Sequence, residues 1–180
     1  MPSVLFTLPA FQKMQAYIKA VDGEVSGLGS VEVLNNTFIV SDIFLLPQFC
    51  TKAQTTMTEE GISDFIYTRF KNGQTMTNIK LWWHSHFLSP VYWSETDNRT
   101  IRDSFPKASW ILSVVGNQYG DVLARVDIYK PLALTFDKLP VSVSLPVNQD
   151  LLDKVREEVE QKVVLKKPLY ELKEILNELC

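Results

Sequence analysis

The sequence predicts a mixed α/β domain in which a β-sheet is flanked by helices. Apolar residues recur at helical spacing in several segments, runs of β-branched and aromatic residues have the length of strands, and the two patterns interleave along the chain. Such interleaving is typical of layers of helices packed on a sheet. With 180 residues, 46% of them apolar and 22% charged, the chain can bury one core without disulfide support.

The first half of the chain predicts a helix, a strand pair, a surface loop and a second helix. These elements cover residues 9–21, 24–46, 47–58 and 58–72. Pro9 suits a first helical turn, and Asp22-Gly23 ends the helix. Asn35-Asn36 is typical of a hairpin tip, and Pro, Gln and Thr favour the loop. Thr58 is a predicted N-cap. The predicted apolar positions of this second helix are Ile62, Phe65, Ile66 and Phe70.

The second half predicts a buried strand, a helix, further strands and a helical C-terminus. These elements cover residues 79–84, 94–105, 109–116 and 121–130, then one more strand or an extended arm within 131–146. Beyond residue 149, leucines and valines line one face of a charged helix, and Pro168 separates it from a second short helix. We therefore predict a domain over residues 1–146 and an amphipathic helical extension over 147–180. The extension could support self-association or binding of a partner.

Charge and composition argue against several classes of function. The net charge is -3 and the basic residues are scattered, so no nucleic-acid footprint is visible. No apolar run is long enough to span a bilayer, and the N-terminus lacks a signal-peptide pattern. The spacing of Cys50 and Cys180 does not match a zinc-binding cysteine motif, so we predict that both are free thiols. We expect a cytoplasmic protein with no nucleic-acid or membrane partner.

The only two histidines of the chain, His84 and His86, stand at the end of an apolar strand. Residues at positions i and i+2 of a strand point to the same face, so both imidazoles could bind one metal ion. Imidazole suits zinc, and catalytic zinc usually takes three protein ligands and a water. An ordinary pair of strand-end histidines remains the alternative.

Asp97 is the candidate third ligand. It follows Ser94 by three residues at the start of a predicted helix, and the loop after His86 is long enough to return the chain over the strand end. Ser-x-x-Asp at such a position also resembles a capping box, and the two roles are compatible.

Glu24 is the candidate base for a zinc-bound water. It opens a strand entry whose glycines allow close approach of the backbone. Acidic residues near turns are also commonly just solvated, which is the alternative here.

Together these residues resemble the JAMM motif of the MPN-plus zinc metalloproteases, also described as the Mov34/MPN/PAD-1 or JAB domain. The motif is Glu, a long gap, His-Ser/Thr-His, seven residues, Ser, two residues and Asp. This chain has Glu24, His84-Ser85-His86, Ser94 and Asp97, with the gap of seven intact. Phe87 stands where many members have Pro, and the glycine run after Glu24 is shorter. The short chain looks most like a prokaryotic or phage-type member.

The resemblance implies a fold, a cofactor and roles. The fold would be the cytidine-deaminase-like MPN/JAMM domain, a mixed β-sheet flanked by helices. His84, His86 and Asp97 would bind Zn²⁺, Glu24 would be the general base, and Ser94 would stabilise the oxyanion. Ser85 would be structural.

The resemblance also implies a substrate: the peptide or isopeptide bond after the C-terminus of ubiquitin or a ubiquitin-like protein, making the chain deubiquitinase-like. No further histidines are present for the second, structural zinc of some relatives. Tyr92 and Trp93 could line the substrate groove or simply pack. The alternatives are a non-catalytic MPN scaffold acting through protein association, and a JAMM peptidase with a substrate unrelated to ubiquitin.

Overall fold

The computed structural model describes residues 1–105 and 107–145, together with residues 153, 155, 157, 158 and 162. The chain divides into two units, Met1–Leu145 and Pro146–Cys180. In the second unit the five described residues are helical and exposed. The other positions of the predicted C-terminal helices, and the association surface expected there, lie outside the described residues.

The first unit is a mixed α+β fold, in agreement with the interleaved sequence patterns. Its elements are β1 (Ser3–Thr7), α1 (Leu8–Ala20), β2 (Ser26–Leu34), β3 (Thr37–Leu45), β4 (Gln48–Cys50), β5 (Thr55–Met57), α2 (Glu59–Lys71), β6 (Ile79–His86), α3 (Glu95–Ser104), β7 (Trp110–Asn117), β8 (Val122–Ile128), β9 (Leu134–Phe136) and β10 (Val141–Ser144). Eight of the strands form one sheet in the order β10-β1-β3-β2-β6-β7-β8-β9, and β4 pairs with β5 separately.

Strand β6, one of the two middle strands of this sheet, ends at the two histidines. It runs antiparallel to β2 on one side and parallel to β7 on the other. Strand β1 is parallel to both β3 and β10. The sheet is curled, and the Leu139 N–H ahead of β10 donates to the Ala124 carbonyl of β8 at 2.9 Å.

The two faces of the sheet bury different clusters because neighbouring side chains of a strand alternate. Trp83 is fully buried on the face that α1 covers, where its ring stacks on Tyr17 at 6.1 Å. Trp82 points the other way and packs with Ile101 of α3 and Ile111 of β7. The two consecutive tryptophans therefore belong to separate cores, and α3 is held on the histidine face of β6.

Local signals account for most element boundaries. Asn35 and Asn36 form the tip of the β2–β3 hairpin with φ of 49° and 64°, a conformation that asparagine tolerates. The Thr58 hydroxyl accepts from the Gly61 N–H and caps α2. Gly73, at φ +69°, takes the left-handed conformation just after that helix.

The expectation of a plain loop over residues 47–58 is wrong, since this segment contains the β4–β5 ribbon. The Gln48 side chain explains the difference. Its Oε1 accepts from the Ser26 N–H at 2.9 Å, and its Nε2 donates to the Ser26 carbonyl at 2.9 Å. Thr55 also donates to Gln48 at 2.7 Å. A polar side chain thus fastens the ribbon to the start of β2.

The predicted inner face of α2 also needs correction. Phe70 is 63% exposed, whereas Gly61 and Arg69 are buried. The Arg69 guanidinium donates two hydrogen bonds to the Thr75 carbonyl and lies over the Phe65 ring at 5.6 Å. Hydrogen bonds of the guanidinium and its contact with the Phe65 ring offset the cost of burying the charge, so Arg69 lies at an inward position of α2.

Among the described residues, no helix combines the length and the apolar character needed to cross a membrane.

Candidate metal centre

His84 and His86 are the last two residues of β6 on the face that Trp82 also occupies. Both are buried, with 2% and 4% of their surface exposed, and their ring centroids lie 5.2 Å apart. They share the face of Trp82, whose ring stacks on His84 at 4.6 Å and 19°. The alternation of side chains along the strand therefore brings the two imidazoles together, and the stacked Trp82 ring packs against that of His84.

Asp97 reaches the same point from the first turn of α3. The Ser94 Oγ accepts from the Asp97 N–H at 3.1 Å, and Asp97 Oδ2 accepts from the Ser94 N–H at 2.8 Å, which is a complete capping box. Asp97 Oδ1 lies 3.1 Å from His84 Nε2, and its Oδ2 lies 3.5 Å from His86 Nε2. The predicted capping box is confirmed, and the same geometry places the Asp97 carboxylate beside both imidazoles.

These three side chains could hold a metal ion. Their potential ligand atoms all lie within 4.8 Å of one another. Two ligand atoms each about 2.0–2.1 Å from a tetrahedral ion are roughly 3.3 Å apart, close to the two measured separations. His84 is buried, and neither of its ring nitrogens has a partner with hydrogen-bond geometry among the described residues. Coordination of a metal ion would explain why a buried ring nitrogen has no hydrogen-bond partner.

The surroundings favour a neutral imidazole at His84 and an ionised carboxylate at Asp97. Burial lowers the pKa of His84, although Asp97 partly opposes this effect. Burial alone would raise the pKa of Asp97, but the adjacent imidazoles of His84 and His86 and the hydrogen bond from Ser94 outweigh it and hold the pKa well below its usual range. For His86, burial lowers the pKa, but the nearby Asp97 carboxylate and the hydrogen bond to the Pro90 carbonyl outweigh it and leave the pKa raised. An anionic Asp97 beside unprotonated His84 is the state that binds a cation.

Glu24 lies in the same cavity, just before β2. Its N–H donates to the Thr51 carbonyl at 2.8 Å, and the next residue, Val25, donates its N–H to the Ser85 hydroxyl at 3.0 Å. A side chain at Gly23 would place its Cβ 2.6 Å from the Thr51 oxygen, so only glycine fits there. Burial raises the pKa of Glu24, as does Asp97, while His86 lowers it. A raised pKa suits a group that takes and returns a proton.

The cavity has a volume of about 470 Å³. Its lining consists of Glu24, Lys52, Ala53, Gln54, Thr55, Trp82, His84, His86, Ser89, Tyr92, Ser94, Thr96, Asp97, Arg99 and Thr100. Tyr92 is half exposed at its rim, with its ring 4.7 Å from that of His86. Trp93 lies behind the cavity lining, with its ring 6.1 Å from that of His84, its Nε1–H donating to Asp137 and Arg125 lying 5.2 Å over its ring. The geometry thus separates the two aromatic candidates.

An apolar compartment of about 440 Å³ adjoins this cavity. Five residues line both spaces, namely Gln54, Thr55, Trp82, Thr96 and Thr100. The remaining lining combines the apolar side chains of Leu28, Met57, Ile62 and Phe105 with the polar residues Ser26, Thr56 and Ser104. The sequence analysis placed only Tyr92 and Trp93 at a substrate groove, whereas the walls of this compartment include residues of the β4–β5 ribbon and of α3, which are distant in the chain.

No family model and no curated protein matches the chain. Among solved structures, the solution structure of protein DSY2949 from Desulfitobacterium hafniense, a structural genomics target, is similar with a TM-score of 0.57. The similarity covers 81% of this chain and 95% of that one at 15% sequence identity. It supports the mixed α+β fold and does not bear on function.

Proposed function

We propose that this protein is a zinc-dependent hydrolase of the JAMM/MPN-plus type, with the cytidine-deaminase-like fold of that group. Its substrate is the peptide or isopeptide bond after the C-terminus of a ubiquitin-like protein. The observation that supports this most is the convergence of His84, His86 and Asp97 within 4.8 Å in a cavity that Glu24 also lines. Two imidazoles and one carboxylate form a ligand set that zinc accepts, with a position left for water.

Zn²⁺ held by His84, His86 and Asp97 would supply Lewis-acid chemistry, polarising the scissile carbonyl and lowering the pKa of a coordinated water. The remaining steps belong to the chain. Glu24, with its raised pKa, takes a proton from the attacking water and gives it to the leaving amine. Ser94 now donates its hydroxyl hydrogen to Asp97 Oδ2 at 2.7 Å. Since a hydroxyl has one hydrogen, Ser94 must turn from Asp97 to stabilise the oxyanion.

The groove beside the centre supports an extended peptide as substrate. A tail lying in the apolar compartment would place a side chain against Met57 and Ile62 while its end reaches the histidines. The rim contributes Lys52 and Arg99, so the entrance is not purely acidic. A folded ubiquitin-like protein with a free C-terminal tail fits such a surface because only the tail must enter the groove.

The test is cleavage of ubiquitin-like fusion proteins by the purified full chain. We expect cleavage that a zinc chelator stops and added zinc restores. Glu24→Gln should retain zinc and lose about 10²–10⁴-fold in rate, because the amide cannot accept the proton. Glu32→Gln makes the same chemical change at an exposed position of β2 and should leave the rate unchanged.

Three outcomes would change the proposal. Zinc-dependent cleavage of other peptides, with ubiquitin-like fusions left intact, would favour a JAMM peptidase of different specificity. A chain that stays metal-free in excess zinc would favour a non-catalytic MPN scaffold. Full activity of Glu24→Gln would remove that residue from the role of base.

A further inference from the structure

The loop that follows His86 is tied down by the end of β7. Residues 87–93 contain no helix or strand, and their backbone begins immediately after a candidate ligand. Two hydrogen bonds from β7 and the residue after it hold this loop. The Gln118 N–H donates to the Phe87 carbonyl at 3.2 Å, and the Asn117 Nδ2 donates to the Ser89 carbonyl at 3.2 Å.

The loop in turn orients the imidazole of His86. His86 Nδ1 lies 3.1 Å from the Pro90 carbonyl oxygen. A carbonyl can only accept, so Nδ1 bears the hydrogen, and the lone pair of neutral imidazole is left on Nε2. Nε2 is the atom that faces Asp97, at 3.5 Å from Oδ2. The position of one loop carbonyl therefore decides which ring nitrogen is available to a metal.

The side chain of Asn117 both donates and accepts hydrogen bonds, and together these use the full hydrogen-bonding capacity of an amide. It lies directly opposite His86 in the parallel register of β6 and β7, and it is fully buried. Its Oδ1 accepts from the Tyr119 and Asp121 N–H groups at 3.1 and 3.0 Å. Its Nδ2 donates to Asp121 Oδ2 at 2.9 Å and to the Ser89 carbonyl. These four bonds use both donors and both lone pairs of the amide oxygen.

We propose that Asn117 is a positioning residue for the metal centre. It fixes the Ser89–Pro90 backbone, which fixes the tautomer and the ring orientation of His86. The interaction runs through the loop, and Asn117 itself contacts neither a ligand nor substrate. Outer groups that orient a histidine ligand commonly change metal affinity by about 10–100-fold when removed. The inference rests on the metal site of the proposed function and is independent of hydrolysis.

Metal affinity tests this role without any substrate. Asn117→Asp keeps the acceptors for Tyr119 and Asp121 but has no donor for Ser89. Asn117→Ser also keeps an acceptor, is too short to reach Ser89, and adds no charge. Asp121→Ala is the matched control, since it removes the other acceptor of Nδ2 and leaves the Ser89 bond. Zinc affinity is measured by competition with a chromogenic chelator, and the ligand geometry by the visible spectrum of the Co²⁺ form.

We expect both Asn117 variants to lose about 10–100-fold in zinc affinity and to change the Co²⁺ spectrum, with Asp121→Ala within twofold of the unmodified chain. If Asn117→Asp fails to unfold cooperatively in urea, the uncharged Asn117→Ser decides the outcome. Unchanged affinity and spectrum in a folded Asn117 variant, or an equal loss in Asp121→Ala, would overturn the role. Failure of the unmodified chain to bind zinc would instead refute the proposed function, and this inference with it.

Discussion

Two fully buried serines on neighbouring strands give a sharp test of how the site is braced. Ser85 of β6 accepts from the Val25 N–H at 3.0 Å and so joins the histidine strand to the residue after Glu24. Ser113 of β7 is equally buried, but its hydroxyl has no hydrogen-bond partner among the described residues. Replacing each by alanine deletes the same atom from the same degree of burial, so the difference isolates one hydrogen bond.

The expected magnitudes follow from that difference. Ser85→Ala leaves the buried Val25 N–H unpaired, which costs about 1–3 kcal/mol in the free energy of unfolding. Ser113→Ala removes a polar group that has no partner, and should be neutral or slightly stabilising. With a urea m-value of about 2 kcal/mol/M, a loss of about 2 kcal/mol lowers the midpoint by about 1 M.

Urea unfolding followed by tryptophan fluorescence measures both variants, with Trp83 as a fully buried reporter. Equal midpoints for the two variants, or a larger loss for Ser113→Ala, would show that the Ser85 hydrogen bond does not brace the site. Zinc-dependent cleavage should also fall more in Ser85→Ala, because Glu24 precedes the freed amide.

Three further predictions concern packing, pH and the groove. Gly27→Ala should destabilise by about 2–3 kcal/mol, since its Cβ would lie 2.1 Å from the Phe44 oxygen, and an unfolding midpoint equal to that of the unmodified chain would contradict this. Burial and Asp127 raise the pKa of Tyr129 to about 12. The neutral phenol is therefore favoured in the folded state, and stability should fall from pH about 10 towards 12. An unchanged slope in Tyr129→Phe would refute the assignment. Met57→Ser should raise KM for an extended substrate about five- to thirtyfold, the equivalent of about 1–2 kcal/mol, and an unchanged KM would place the substrate elsewhere.

The sequence predicts elements whose signals are local. Helix α3 begins where Ser94 allows a cap, the β2–β3 hairpin turns at Asn35-Asn36, and β6 follows an apolar run. Strands β1 and β10 were not anticipated as a pair, because each is short and they meet only through parallel pairing of opposite ends of the first unit. The β4–β5 ribbon was missed because a side chain from its first strand, Gln48, bonds across to Ser26.

Within the candidate site, too, residues with local sequence signals were predicted and residues brought together by strand pairing were not. His84 and His86 could be placed together from period-two alternation, and Asp97 from helix geometry after a loop. The stacking of Trp82 on His84, the groove behind it and the bonds of Asn117 depend on which strands become neighbours in the sheet. Spacing within one segment holds no information on such neighbours. It therefore identified the candidate ligands but not the groups that surround and orient them.

The most direct test of the account is the zinc content of three purified proteins after exposure to zinc and gel filtration. The unmodified chain and Glu24→Gln should each retain about one zinc, because the ligand set is intact in both. Asp97→Ala should retain almost none, since the remaining two imidazoles form an incomplete set. Undiminished zinc in Asp97→Ala, or no zinc in the unmodified chain, would contradict a metal centre formed by His84, His86 and Asp97.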